Sequence, residues 1–290
     1  MPPSDDIRLF IVIPVYGNWT DTLATLRALE AQDCSRFRVL IADDGTPAEP
    51  PPEIHSFAFA TYVRNPHAGF AANCNRAARI AMEEGATHLL FLNSDTHFSP
   101  EFVGGWLRTI TELPNAVVSP VVYWFRKPQE VWYSGGKMTM LTPFVRLARE
   151  FSRTTPVDIV CACVLLVPVE EWGRLHGFDE RFAVYFEDLD LSLRAKALGI
   201  PIFVAADRNL RVWHKVAGSF PGGDGWDREY HLLPSRLLFI QRHFHGPKRL
   251  LCFAMTGLHL MAKVFERAPE VPSPKLLWKA VARGRAGITR

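Results

Sequence analysis

The sequence lacks any apolar run of the length, about 20 residues, that a bilayer-spanning helix needs. It has no G-x-G-x-x-G after its first apolar segment and no G-x-x-x-x-G-K-[ST] anywhere. Those absences disfavour a dinucleotide-binding oxidoreductase and a P-loop NTPase. Cysteine is scarce. The five (Cys34, Cys74, Cys161, Cys163, Cys252) are odd in number and mostly embedded in apolar segments. Cys161-Ala162-Cys163 has no second ligand pair at metal spacing, so neither a disulfide framework nor a zinc site is expected. Free thiols in a reducing compartment fit better. Low-complexity tracts and internal repeats are absent. The opening MPPSDDIRLF carries acids where a signal peptide needs bases, which leads to an expected cytoplasmic location.

What is present reads as an ordered globular chain: 290 residues, 48% hydrophobic and 22% charged, enough for one sizeable core with or without an appendage. The net charge of +3 hides an asymmetry. Residues 242–290 hold ten Lys/Arg against two Asp/Glu, a net of +8, while the rest carry 23 against 28, a net of −5. An acidic body with a basic tail argues against nucleic acid as a partner and suits a tail that meets an anionic surface.

The segments RLFIVIPVY (8–16), FRVLIADDG (37–45) and THLLFLNSD (87–95) are continuous apolar runs, the form of strands buried on both faces. A short strand near 59–64 joins them. Helical spacing fills 20–32, with Thr20 or Asp21 as cap, and about 70–84; a further helix opens with Ser99 as cap and Pro100 at its first position. This alternation predicts an α/β fold with a mainly parallel sheet flanked by helices. Beyond Leu113 the order becomes mixed. Strands are expected at 116–123, 130–134, 157–168 and 200–205, a helix at 187–199, a glycine-rich loop at 217–225, then helices.

Three strands end on polar residues: Tyr16-Gly17-Asn18, Asp43-Asp44 and Asn93-Ser94-Asp95. In open parallel sheets the ligand crevice lies outside the carboxyl ends of the strands. An acid-lined crevice without a glycine-rich cradle can still accept phosphate through a divalent cation bridged by hard oxygen ligands. Taken alone, Asp43-Asp44-Gly45 is as well explained by a turn, and a lone acid after a strand by solvation.

VIPVYGN, IADDGT, NPHAGFAANCN, FLNSD, YFEDLDLSLRAKALG and VWH occur in the order found in family 2 glycosyltransferases, which the chain resembles over roughly residues 8–245. The resemblance implies a GT-A (Rossmann-like) domain at 1–245, with a nucleotide-binding half of about 1–113 and an acceptor half of about 114–245. It implies inverting transfer from a nucleotide-diphosphate sugar with Mn²⁺ or Mg²⁺. Within the family the chain is similar to bacterial rhamnosyltransferase-like enzymes of surface polysaccharide synthesis, so dTDP-rhamnose or a UDP-sugar is the expected donor. A saccharide or lipid-linked saccharide is the expected acceptor.

Position by position, the resemblance places Pro14, Val15 and Tyr16 against the nucleoside. Asp43 or Asp44 would accept hydrogen bonds from it, and Asn65, Gly69 and Asn75 fall in the stretch that closes over it. Asn93 and Ser94 would also contact the nucleotide. Asn93 departs from the family's Asp-x-Asp, which leaves Asp95 as the acid expected to bind the ion, with His214 completing the site. Asp188 matches the family's base, and Glu187 is the runner-up. Charge at a helix N-terminus, favourable by about 0.3–1 kcal/mol per acid, explains acids there in general but not two in succession after FAVYF. Asp190 is expected to be structural. WYSGGK (132–137), DIVCAC (158–163) and GFDERF (177–182) match stretches that shape the acceptor cleft, and AGSFPGGDGW (217–226) could serve as a lid. Where relatives carry Arg-Asn, this chain has Pro234-Ser235 before Arg236, so no diphosphate contact is carried over there.

Residues 246–290 form a basic amphipathic helical tail in this reading. In 248–267 the apolar face is broad, so it packs on protein or lies on a membrane surface; the latter would put the protein at the inner face of the cell membrane. Two rival functions stay open: a sugar-1-phosphate nucleotidyltransferase, which lacks its expected glycine-rich loop here, and a binding-only homologue, which Asn93 favours.

Overall fold

The computed structural model describes residues 6–138, 145–147, 153–182, 184–216, 226–266 and 281–282. The expected glycine-rich lid (217–225) and the basic stretch from 275 onward, save 281–282, lie outside these residues.

The first four strands, β1 (Leu9–Val15), β2 (Phe37–Asp43), β3 (Ala60–Arg64) and β4 (His88–Leu92), are parallel in the order β3-β2-β1-β4. Side chains alternate across a strand, so each strand feeds two layers. Leu9, Ile11 and Ile13 meet helices α1 (Trp19–Glu30) and α3 (Phe102–Glu112) through Leu26, Leu29, Phe102 and Trp106. Phe10 and Val12 meet α2 (Phe70–Glu83), whose Ala71, Ala77, Ala78 and Ala81 let that helix lie close to the sheet. Burial on both faces is why β1 and the centres of β2 and β4 are apolar, whereas β3, at the sheet edge, carries Thr61 and Arg64.

The second half extends the same sheet in mixed directions. β6 (Val117–Pro120) and β13 (Ile202–Ala205) are parallel, and β11 (Thr155–Pro156) pairs antiparallel with β13. β12 (Val164–Pro168) inserts antiparallel between β4 and β6. Helices α4 (Val169–Leu175) and α5 (Glu187–Ala197) join α2 on its face through Trp172, Leu175, Leu191 and Ala195. A smaller sheet in the order β5-β14-β7-β8 comprises β5 (Thr96–Phe98), β7 (Val122–Trp124), β8 (Lys127–Tyr133) and β14 (Val212–His214). β9 (Gly136–Met138) and β10 (Val145–Leu147) form an antiparallel pair. The mixed, mainly parallel sheet flanked by helices is thus as expected.

Three local expectations are corrected. α1 starts at Trp19 with Asn18 at its N-cap, because the Asn18 carbonyl accepts from the Thr22 amide at 3.1 Å and hydroxyl at 2.6 Å, two or three residues ahead of the Thr20 or Asp21 cap. α3 starts at Phe102, not at Pro100; the Phe102 amide donates to the Ser99 carbonyl, so Ser99-Pro100 form the turn leading in. Only the last five residues of 157–168 are strand. The Val160 amide donates to Ser192 Oγ and the Ala162 amide to Asp188 Oδ2, so those donors serve α5 rather than a ladder.

Two further helices close the described chain. α6 (Trp226–His243) is tied to α5 by Asp190, fully buried, whose carboxylate meets Arg194 at 2.7 Å and both Arg242 and His243 at 2.8 Å. These partners hold its carboxyl below the usual range in spite of burial. α7 (Gly246–Glu266) packs on α6 through Phe253 and Leu260 against Leu233 and Leu237, and Lys263 pairs with buried Glu229. Its other side leaves Leu250, Leu251, Leu258 and Met261 exposed, Leu250 by 69%. Among the described residues no helix is long and apolar enough to cross a membrane.

Candidate active site

The strand order reverses direction of growth at β1 and β4, and a crevice at such a switch point is where open α/β sheets take ligands. Pro14 and Val15 end β1 there, and Tyr16 follows, 47% exposed, its ring stacked on His67 with centroids 4.7 Å apart. His67 was not anticipated from the sequence, where it is one of ten histidines.

The two acids after β2 divide their work. Asp43 is fully buried and accepts from the Thr46 amide (2.9 Å) and hydroxyl (2.5 Å) and from Tyr62 OH (2.7 Å). It shapes the turn. Asp44 accepts from the amides of Ala68 (2.8 Å) and Gly69 (2.9 Å) and lies 2.9 Å from His67 Nδ1. It thereby fixes the loop that carries the Tyr16 stacking partner and the start of α2. Gly45 permits this closeness: its φ is +70°, and a Cβ there would lie 2.8 Å from the His67 amide nitrogen. Asn65 donates to Asn73, which donates to the Ala42 carbonyl, so the next loop is also tied to the sheet. Asn75 stands apart from this group, exchanging hydrogen bonds with the Phe178 backbone.

Asn93-Ser94-Asp95 follows β4 directly. The Asn93 amide donates to the Cys163 carbonyl at 2.8 Å, and the Ser94 carbonyl accepts from Thr25 Oγ1 at 2.7 Å. Asp95 is buried and its Oδ1 lies 2.9 Å from His214 Nε2. Burial pushes the His214 imidazole down, but the Asp95 hydrogen bond and the nearby acids outweigh it and leave the ring above its ordinary value. His214 Nδ1 is buried without a hydrogen-bond partner among the described residues. In this arrangement Nε2 donates to the Asp95 carboxylate, so an ion shared by the two would require that proton to leave Nε2. A buried carboxylate beside an imidazole suits Mn²⁺ or Mg²⁺, ions that need only one or two protein donors when substrate phosphates and water complete the shell. No cluster of three or more His, Cys, Asp or Glu side chains at metal spacing occurs among the described residues.

The acidic pair opens α5. Asp188 Oδ2 accepts from the Ala162 amide at 3.3 Å and Oδ1 from the Leu189 amide at 2.8 Å. Burial raises its carboxyl above the usual range, partly offset by those amides. Glu187 is buried, and its Oε2 has no hydrogen-bond partner among the described residues. Burial, then the Asp188 charge, pushes it well up. Cys161-Ala162-Cys163 therefore joins two parts of the site, holding Asp188 through the Ala162 amide and Asn93 through the Cys163 carbonyl. From sequence, these cysteines read as free thiols and 158–163 as part of the acceptor cleft; the bridging rests on backbone groups that no side chain announces. Just before the pair, Tyr185 (φ +65°) and Phe186 (φ +69°) are both left-handed. Strain of this kind, about 1–3 kcal/mol per residue, clusters at functional sites. Nothing in FAVYF announces it.

The family described as Glycosyl transferase family 2 matches residues 10–171. The chain is 22% identical over 228 residues to Rhamnosyltransferase WbbL of Escherichia coli (strain K12), covering 73% of this chain and 86% of that protein. Among solved structures it is similar to mannosyltransferase PcManGT from Pyrobaculum calidifontis, in complex with GDP-Man and Mn²⁺. There the TM-score is 0.60 at 17% identity, over 98% of this chain and 81% of the other. It is also similar to GalNAc-T7 with UDP, GalNAc and Mn²⁺, with a TM-score of 0.62 at 10% identity over 81% of this chain. The match spans about half, 48%, of the GalNAc-T7 chain. The architecture is GT-A.

Proposed function

The chain belongs to glycosyl transferase family 2, and from that premise we propose that it transfers a sugar from a nucleoside diphosphate to a saccharide or lipid-linked saccharide, with inversion. The observation that carries this reading is the backbone of Ala162-Cys163, whose amide and carbonyl hold Asp188 of α5 beside Asn93 at the end of β4.

In this proposal the half at about 1–113 holds the donor. The Tyr16–His67 stack lies against the nucleoside, Pro14 and Val15 border it, and Asp44 presents the loop through Gly69. Asp95 and His214 are the residues that would hold Mn²⁺ or Mg²⁺, whose chemistry when bound is to neutralise charge on the leaving diphosphate. Asp188 takes the proton from the acceptor hydroxyl as that oxygen attacks the anomeric carbon from the face opposite the diphosphate. A carboxyl raised by burial is a better base than an exposed one. Glu187 orients the hydroxyl. The half at about 114–245 receives the acceptor. The relative named as a rhamnosyltransferase supports dTDP-rhamnose, with UDP-sugars as the other candidates.

The tail supplies a location. Leu250, Leu251, Leu258 and Met261 form an exposed apolar stripe behind Lys248 and Arg249, within a segment of net charge +8. That combination suits peripheral binding to an anionic bilayer, at the inner face of the cell membrane.

Asn93 supports a second reading, binding without turnover, since the family pattern has an acid there. Calorimetric titration with UDP, dTDP and GDP, with and without Mn²⁺, tests both. The transferase reading expects one nucleotide to bind, more tightly with Mn²⁺, and the Mn²⁺ gain to vanish in Asp95→Ala. Absence of binding to all three would defeat it, and binding without sugar release from any donor would favour the second reading.

A further inference from the structure

Trp124 ends β7 at the tip of the β7–β8 hairpin, 37% exposed, with Phe125 (42%) exposed beside it and Arg126, Lys127, Gln129 and Glu130 exposed around the two. Its strand position is in register with His214 on β14, which puts both side chains on one face of the small sheet. Its ring meets Trp132 edge-on at 6.2 Å, and Trp132 meets the His214 ring edge-on at 4.6 Å. An aromatic wall therefore runs without a break from the Asp95–His214 pair out to the surface.

The tip is held in place. Phe125 donates its amide to the His214 carbonyl at 3.1 Å, and its ring stacks on His97 at 4.5 Å. Lys215 Nζ lies over the same Phe125 ring, 5.3 Å from its centroid. A pre-organised aromatic costs little ordering on binding.

We propose that Trp124 is a stacking platform for a sugar ring of the acceptor, an inference that rests on the glycosyl-transfer reading above. The negative face of an indole attracts the polarised C–H bonds on the apolar side of a pyranose. The flanking charged and amide side chains can meet the hydroxyls on the rim of that ring. Phe125 spends one face of its ring on His97, and charged and amide side chains surround the pair, a patch narrower than a lipid or protein partner calls for. The wall's continuity with His214 places the bound sugar next to the reacting end of the donor.

Saturation-transfer NMR with methyl glycosides of glucose, galactose, mannose, rhamnose and N-acetylglucosamine, in the presence of nucleotide and Mn²⁺, provides the test. At least one glycoside should bind, at least tenfold more weakly in Trp124→Ala, with most of the binding recovered in Trp124→Phe. Nucleotide affinity, measured on the same samples, should stay within twofold in both variants. No glycoside binding, or binding undiminished in Trp124→Ala, would overturn the platform while leaving intact nucleotide binding to uphold the transferase reading. A wild-type protein that binds no nucleotide would overturn both.

Discussion

His214 Nε2 lies 2.9 Å from Asp95 Oδ1 across 119 residues of sequence. β5 and β14 bring them together, with Thr96 paired to His214 and the Lys215 amide donating to the Asp95 carbonyl at 3.1 Å. If the two share an ion, removing either should remove the same increment. Asp95→Ala and His214→Ala are each expected to weaken nucleotide binding in Mn²⁺ by at least tenfold, about 1.4 kcal/mol, with little change in its absence. Calorimetry at both conditions checks this, and Mn²⁺ dependence unchanged in both variants would rule the pair out as ligands.

Asp188→Asn keeps the shape of the side chain and removes the base. Transfer should fall by roughly 10²–10⁴, while donor affinity stays within about twofold. Near-normal turnover would exclude Asp188 from proton transfer.

The pH profile follows from the raised carboxyls of the acidic pair. The reaction needs the base ionised, so activity is present at neutral pH and lost as pH falls through the raised value. The acid limb of kcat/KM should therefore lie above the ordinary carboxylate range of about 4. An acid limb at or below that range would contradict the arrangement.

Glu187 links the same burial to stability. A carboxyl whose folded-state value is raised favours folding below its unfolded value, and that contribution disappears as pH rises through the folded one. Glu187→Gln should therefore gain stability relative to wild type at pH 8 and lose that gain toward pH 4. Thermal denaturation at the two pH values measures it; a gain independent of pH would show that the ionised carboxylate carries no cost.

Asp190 has the opposite sign. Its lowered carboxyl contributes stability that is complete above the ordinary carboxylate value and lost as pH falls through the lower, folded one. Asp190→Ala removes the buried carboxylate that Arg194, Arg242 and His243 share and should cost about 3–5 kcal/mol at neutral pH. Urea denaturation is the measurement, and a loss under about 1 kcal/mol would mean the three partners re-pair elsewhere.

For the tail, Leu250→Glu with Leu258→Glu should abolish sedimentation with phosphatidylglycerol vesicles without altering nucleotide binding. A wild-type protein that never sediments with them would remove the membrane assignment.

The doubly buried strands were legible because a sheet covered on both faces demands apolar side chains in both directions, as Leu9–Val15 and residues 89–92 show. Asp95 was legible as the acid at the end of such a strand. What escaped the sequence depends on contacts between distant backbone groups. Asp43 and Asp44 read alike, yet one closes a turn on Thr46 and the other anchors residues 68 and 69. Residues 158–163 read as strand because they are apolar, but two of their amides are spent on α5. Trp124 was one of eight tryptophans until strand register aligned it with His214.

The position of β12 has a consequence for how the chain is made. β4 is apolar at most positions, and one of its two edges waits for a partner that follows more than seventy residues later. At ribosomal rates of about 5–20 residues per second, that edge stays open for several seconds on each nascent chain. An unpaired strand edge of this kind is a template for pairing with another molecule. Yield during expression should therefore be governed by elongation speed and chaperone supply across residues 93–163, more than by the stability of the finished fold.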